Sequence, residues 1–194
     1  MNLPNKITLL RVILIPAFLI MYLSQPLNGI GEHGQILNAW VTMFLFAVAA
    51  ITDAVDGYLA RKMGLVTNFG KLMDPLADKM LVCAAFIAFT ATGSLPAWAA
   101  IILISREFYI SGLRQLALEQ KIVLAASLGG KIKTASQIVL IIYLMMPSLM
   151  LPFPFTYLFF QPLEYALIII TTAISIFSAV EYSYKNKIIF REKE

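Results

Sequence analysis

Residues 36–58 read Ile36-Leu37-Asn38-Ala39-Trp40-Val41-Thr42-Met43-Phe44-Leu45-Phe46-Ala47-Val48-Ala49-Ala50-Ile51-Thr52-Asp53-Ala54-Val55-Asp56-Gly57-Tyr58. No residue from Ile36 to Thr52 is charged. A helix needs roughly 20 apolar residues to cross the hydrocarbon core of a bilayer, so this stretch is a predicted membrane span. Two aspartates close it. Carboxylates beside hydrocarbon are expensive, and their presence points to chemistry rather than to packing.

Outward from this stretch the chain keeps the same character. Of its 194 residues, 60% are hydrophobic and only 13% charged, and the mean hydropathy is +0.81. Soluble domains carry about 25% charged residues. The composition describes a membrane protein and excludes a disordered chain, a disulfide-stapled secreted domain and a nucleic-acid binder. Further spans are expected near residues 8–25, 76–94, 96–114, 132–149 and 160–182. Breakers separate them: Pro26, Asn28 and Gly29; Gly64; Gly93 and Pro96; Gly129 and Gly130; Pro147, Pro152 and Pro154. The expected fold is an all-α integral membrane protein of six transmembrane helices, with residues 1–194 forming one domain. The first span is read as an uncleaved helix, because no small-residue cleavage site follows it at Ser24-Gln25-Pro26.

The basic residues test that count. Lys6 and Arg11 precede or begin span one, and Arg61, Lys62, Lys71 and Lys79 lie between spans two and three. Arg106, Arg114, Lys121, Lys131 and Lys133 cluster around the loop between spans four and five. Lys185, Lys187, Arg191 and Lys193 form the tail, which accounts for all 15. Six crossings place every one on the same side, which the positive-inside rule makes cytoplasmic. Both termini are therefore expected in the cytoplasm. The net charge of +4 reads as topology, not as affinity for nucleic acid.

Four of the 11 acidic residues, Asp53, Asp56, Asp74 and Asp78, fall within 26 positions flanking one cytoplasmic loop. At about 100° per residue, Asp53 and Asp56 share a helix face, and so do Asp74 and Asp78. Two helices antiparallel across a short loop would turn all four toward one point. Such a group repels itself unless a hard cation joins it. Oxygen donors of this kind suit Mg²⁺ or Mn²⁺, and two ions so held form a clamp for displacement at phosphorus. The single histidine, His33, and the single cysteine, Cys83, leave oxygen as the only donor for a metal site. Gly57, Ala60 and Gly70 leave room for a phosphate ligand, and Arg61 offers it a planar fork.

The same run fits D-x2-D-G-x2-A-R-x8-G-x3-D-x3-D at all eight fixed positions: Asp53, Asp56, Gly57, Ala60, Arg61, Gly70, Asp74 and Asp78. In this the chain resembles the CDP-alcohol phosphotransferase family. The resemblance implies a six-helix membrane enzyme, commonly homodimeric, with its site at the cytoplasmic interface of the bacterial cell membrane. Its reaction moves a phosphoalcohol group from a CDP-alcohol to a second alcohol and releases CMP. It also implies roles. Asp53, Asp56 and Asp74 would ligate a two-metal centre, and Asp78 would touch metal and act as general base. Gly57, Arg61 and Thr67 would hold the CDP portion. The opening Pro4-Asn5-Lys6-Ile7-Thr8-Leu9-Leu10-Arg11 is similar to the family's amino-terminal pattern, which puts Asn5 and Thr8 near the nucleotide.

Arg106, Arg114, Lys131 and Lys133 are candidates for the acceptor. They flank helices expected to pack beside the acidic site, and an anionic acceptor entering a carboxylate-rich site needs cations. Ordinary headgroup anchoring is the competing reading. The blocks around these residues, with Pro75-Leu76-Ala77-Asp78-Lys79, resemble bacterial members whose donor is CDP-diacylglycerol and whose acceptor is glycerol 3-phosphate. Phosphatidylglycerol, inositol phosphate or serine as acceptor stay open. A cation transporter built on intramembrane carboxylates is the rival from another class, though acids gathered at one loop fit it poorly. A polyprenyl diphosphate synthase would want D-D-x-x-D, which this chain lacks.

Overall fold

Proline and glycine mark where the apolar runs stop being helical. The structure, a computed structural model, describes residues 3–26, 29, 31–63, 68–120, 128–146 and 156–187. Side chains are described for these except 3–9, 32, 53–63, 68–78, 128 and 156–160. Six helices run through them: α1 (Leu3–Ser24), α2 (Glu32–Met63), α3 (Asn68–Ala91), α4 (Ala97–Glu119), α5 (Leu128–Met145) and α6 (Thr156–Lys185). No strand occurs among the described residues. The all-helical expectation holds, and each of the six expected segments is matched by one helix.

The helix ends have local causes. α1 stops at Ser24, whose hydroxyl donates to the Ile20 carbonyl at 2.5 Å. Gln25 then takes a positive φ of 43°, and Pro26 cannot extend the hydrogen-bond ladder. After α3, Gly93 adopts φ 80°, a left-handed conformation that glycine reaches without a Cβ penalty. Pro96 caps α4 in an extended conformation, and its carbonyl accepts from the amides of Ala99 and Ala100 at 3.0 and 3.2 Å. α5 ends at Met145, two residues before Pro147, because a residue preceding proline is disfavoured in the helical region. The expected fifth span ran on to residue 149, and its last three residues lie outside the described ones.

Helix lengths differ from the expected spans in one useful way. α2 has 32 residues, so it is about 48 Å long at 1.5 Å per residue. A bilayer core is about 30 Å thick. α2 therefore outruns a membrane crossing, and its surplus carries the acidic segment. Among the described residues two stretches, His33–Thr52 and Gln161–Lys185, are long and apolar enough to span a membrane, and Leu10–Ser24 and Lys79–Ala91 are shorter apolar helices.

The chain forms two compact units. One contains α1, α2 and α3; the other contains α4, α6 and α5 as far as Leu144. In the first, α1 packs along both α2 and α3. Its centre is aromatic. Phe18 faces Tyr22 and Phe46 at centroid distances of 6.0 and 5.7 Å, and Tyr22 meets Phe89 edge-on at 5.3 Å. Polar pins cross the same contacts: Asn38 Nδ2 donates to the Met21 carbonyl at 3.1 Å, and the Tyr22 and Thr92 hydroxyls lie 3.2 Å apart. In the second unit α4 packs on α6, with Ile110, Leu113 and Tyr182 forming a buried cluster. α5 comes close enough to α6 that a Cβ on Gly129 would run into the Glu181 carboxylate.

Polar side chains stand in the interior beside the apolar core, and many large apolar ones are exposed. Asn38, Thr42, Gln137, Thr171, Thr172, Ser175 and Ser178 are buried, while Ile13, Phe44, Ile87, Ile101, Val139 and Phe177 are exposed on their respective helices. Lipid is as apolar as leucine, so membrane helices gain nothing by hiding aliphatic residues. They associate instead through packing and buried polar contacts. Apolar outer faces on every helix fit that solvent.

Candidate active site

The acidic segment lies on the facing ends of two consecutive helices. Asp53, Asp56, Gly57, Ala60 and Arg61 belong to the last turns of α2, and Gly70, Asp74 and Asp78 to the first turns of α3. Asp53 stands ten residues before the end of α2, and Asp78 ten residues after the start of α3. The backbone is helical through both segments. The condition behind the paired spacing is thus met: three or four positions apart is one helix face. Both helices belong to one unit, and α1 packs against each. Asn5 and Thr8 lie in the first turns of α1. The side chains of Asn5, Thr8, Asp53, Asp56, Gly57, Arg61, Asp74 and Asp78 fall outside the described ones, and Thr67 lies wholly outside them.

Aspartate is a hard oxygen donor, so these four carboxylates would suit a hard divalent cation rather than a soft metal or an iron–sulfur centre. Among the described side chains no group of three or more His, Cys, Asp or Glu is placed to hold a metal. Cys83 is buried on α3 as a free thiol.

The basic candidates are described in detail, and they do not all behave alike. Lys133 on α5 is 4% exposed and forms an ion pair with Oε1 of Glu107 on α4. Arg106, next to Glu107 in sequence, brings Nη1 to 3.7 Å of that same oxygen. Its Nη2 donates to the Ser178 hydroxyl on α6 at 2.9 Å. Gln137, one turn beyond Lys133, donates its Nε2 to Glu107 Oε1 at 3.3 Å. Arg114, two turns along α4, turns to Tyr182 instead. Its Nε donates to the phenol oxygen at 3.4 Å, and its guanidinium carbon lies 5.7 Å from the ring centroid. Lys131 is exposed. The structure thus joins Arg106 and Lys133 through Glu107 and leaves Arg114 and Lys131 outside that cluster.

Glu107, Gln137, Ser178 and Tyr182 had not been singled out from the sequence. For Glu107 a signal existed. It is the lone acid within the expected span 96–114, and an ionisable residue at membrane depth is a functional candidate by default. Its pairing with Lys133, 26 positions away, only folding reveals. Breaking a buried ion pair from one side costs about 3–5 kcal/mol, so Glu107 is integral to this unit.

With fold and site in place, comparison with known proteins gives the class. The chain belongs to the CDP-alcohol phosphatidyltransferase family, whose model matches residues 1–177. That family consists of membrane-associated, generally divalent-metal-dependent enzymes. Among relatives, the CDP-diacylglycerol–glycerol-3-phosphate 3-phosphatidyltransferase of Bacillus subtilis (strain 168) is 46% identical over 160 residues, covering 79% of this chain and 83% of the relative. The protein of the same name from Rickettsia bellii (strain RML369-C) is 38% identical over 137 residues, 70% of each chain. A probable phosphatidylglycerophosphate synthase of Mycobacterium tuberculosis (strain ATCC 25618 / H37Rv) is 41% identical over 147 residues, covering 75% of this chain and 66% of the relative.

Proposed function

We propose that this chain transfers the phosphatidyl group of CDP-diacylglycerol to glycerol 3-phosphate, giving phosphatidylglycerophosphate and CMP. The observation that carries the reading is the unbroken eight-position signature on the ends of α2 and α3. The acceptor follows the printed names of relatives that are 46% and 38% identical.

Asp53, Asp56, Asp74 and Asp78 would hold Mg²⁺ or Mn²⁺ as a two-metal site. When bound, such ions supply neutralisation of the diphosphate charge that displacement at phosphorus requires. Gly57 leaves space for the donor's diphosphate, Arg61 forms a charge-assisted fork to it, and Asn5, Thr8 and Thr67 contact the CDP portion. Arg106, Arg114, Lys131 and Lys133 receive the acceptor's phosphate. Asp78 accepts the proton of the acceptor's primary hydroxyl, whose oxygen bonds to the lipid-bearing phosphorus as the bond from that phosphorus to CMP breaks. CMP leaves with the electron pair of that bond. The transfer needs no covalent intermediate on the protein, so direct in-line displacement is the simplest course.

The enzyme works as one domain over residues 1–194 and as a homodimer, crossing the bacterial cytoplasmic membrane six times with both termini and the site on the cytoplasmic side. The sorting of all 15 basic residues to one side supports this topology. The interface location suits the chemistry, since the lipid donor stays in the bilayer while the polar acceptor arrives from water. Purified protein with CDP-diacylglycerol and Mg²⁺ or Mn²⁺ is expected to release CMP with glycerol 3-phosphate. Phosphatidylglycerol, serine and inositol phosphate should support little release, and EDTA should abolish it reversibly. Faster release with another alcohol in that panel sinks the acceptor assignment.

A further inference from the structure

We propose that Glu107 is a positioning residue that holds Lys133 and Arg106 in place to receive the acceptor's phosphate. The proposal rests on the reading of those two cations as phosphate ligands and goes beyond it by naming what sets their geometry.

One carboxylate oxygen organises the cluster. Glu107 Oε1 takes the ammonium of Lys133, the amide of Gln137 at 3.3 Å, and the approach of Arg106 Nη1 at 3.7 Å. The donors come from two helices, α4 and α5, and Ser178 on α6 fixes the other end of the guanidinium at 2.9 Å. Two cations drawn to one oxygen would repel each other without the carboxylate between them. Each also has a long, flexible stem whose ordering costs entropy when a ligand must do it. Glu107 meets that cost before the ligand arrives.

The cluster is also incomplete in a way that an anion would finish. It lies in a buried place, where Glu107 and Lys133 are 8% and 4% exposed. Arg106 Nε is buried there with no hydrogen-bond partner, so a fixed donor stands idle. A phosphate monoester carries about −1.5 to −2 near neutral pH and several strong acceptor oxygens, and one of them would satisfy that donor. Glu107 has a second consequence. By cancelling one of the two charges it keeps the site from being a plain anion trap, which favours a ligand that matches the fixed geometry over bulk phosphate.

The competing account is that Glu107 only neutralises a buried lysine. Steady-state kinetics on the purified full-length protein separates the two. In Glu107→Gln the amide oxygen still accepts hydrogen bonds but the charge is gone. In Glu107→Asp the charge stays and the anchor withdraws by one methylene. Positioning predicts that both raise KM for glycerol 3-phosphate by about tenfold or more, with kcat and the KM for CDP-diacylglycerol within about twofold of wild type. An unchanged KM for glycerol 3-phosphate in folded Glu107→Gln overturns the proposal. So does a fall in apparent kcat and melting temperature in both variants with both KM values unchanged, which is the mark of a purely structural pair. Wild-type protein that releases no CMP with glycerol 3-phosphate would instead defeat the acceptor reading on which the proposal stands. A wild type that saturates normally beside an unaffected variant defeats this proposal alone.

Discussion

Asp78 carries two proposed roles, metal ligand and proton acceptor, and one substitution addresses both. Asparagine has the same shape but can neither take up a proton nor contribute a full charge to a cation. Asp78→Asn is therefore expected to insert and fold normally yet lose CMP release by at least about a hundredfold, as befits a general base. Near-normal turnover, measured beside a wild-type melting curve, would remove Asp78 from the mechanism. The spacing of the four aspartates was legible because a helix repeats every 3.6 residues and the pattern needs only local geometry. Glu107 was not. Its meaning comes from Lys133 and Gln137 on another helix, and no local pattern carries that contact.

The helices themselves followed from the apolar runs and their breakers, with one departure that matters. The expected second span closed at residue 58, whereas α2 continues to Met63. Apolar length sets how much chain the bilayer covers, but hydrogen bonding along the backbone sets how long the helix lasts. What holds α1, α2 and α3 together is shape: Phe18 is fully buried against Tyr22 and Phe46. Phe18→Ala leaves a cavity at this junction. In a water-soluble core the loss is about 3–5 kcal/mol. Here lipid is no worse a solvent for phenylalanine than its neighbours, so only the packing share is lost, about 2–3 kcal/mol. A lowered melting temperature in detergent, with the KM for each substrate unchanged in the folded fraction, is the expected result. An unaltered melting temperature would mean that the aromatic junction does not hold these helices.

The whole chain makes its own prediction, because topology belongs to no single helix. In a Cys83→Ser background, Ser94→Cys is expected to react with a membrane-impermeant thiol reagent in intact cells, since the proposed six crossings would put the turn after α3 outside. Asn186→Cys, after α6, should react only once the membrane is opened. Reaction of Asn186→Cys in intact cells would reverse the orientation, and protection of Ser94→Cys would break the count. The amino-acid sequence alone specified the number of helices and their breaks, and it carried the family signature on the ends of α2 and α3. Helix number and breaks follow from hydropathy, backbone propensity and the helical repeat, which act over a few neighbouring residues. Only the tertiary structure decided that Lys133 and Arg106 share one carboxylate while Arg114 turns to Tyr182. Such partnerships between helices depend on which buried faces fit together, and in a chain with apolar side chains all around its helices, packing and buried polar contacts make that choice.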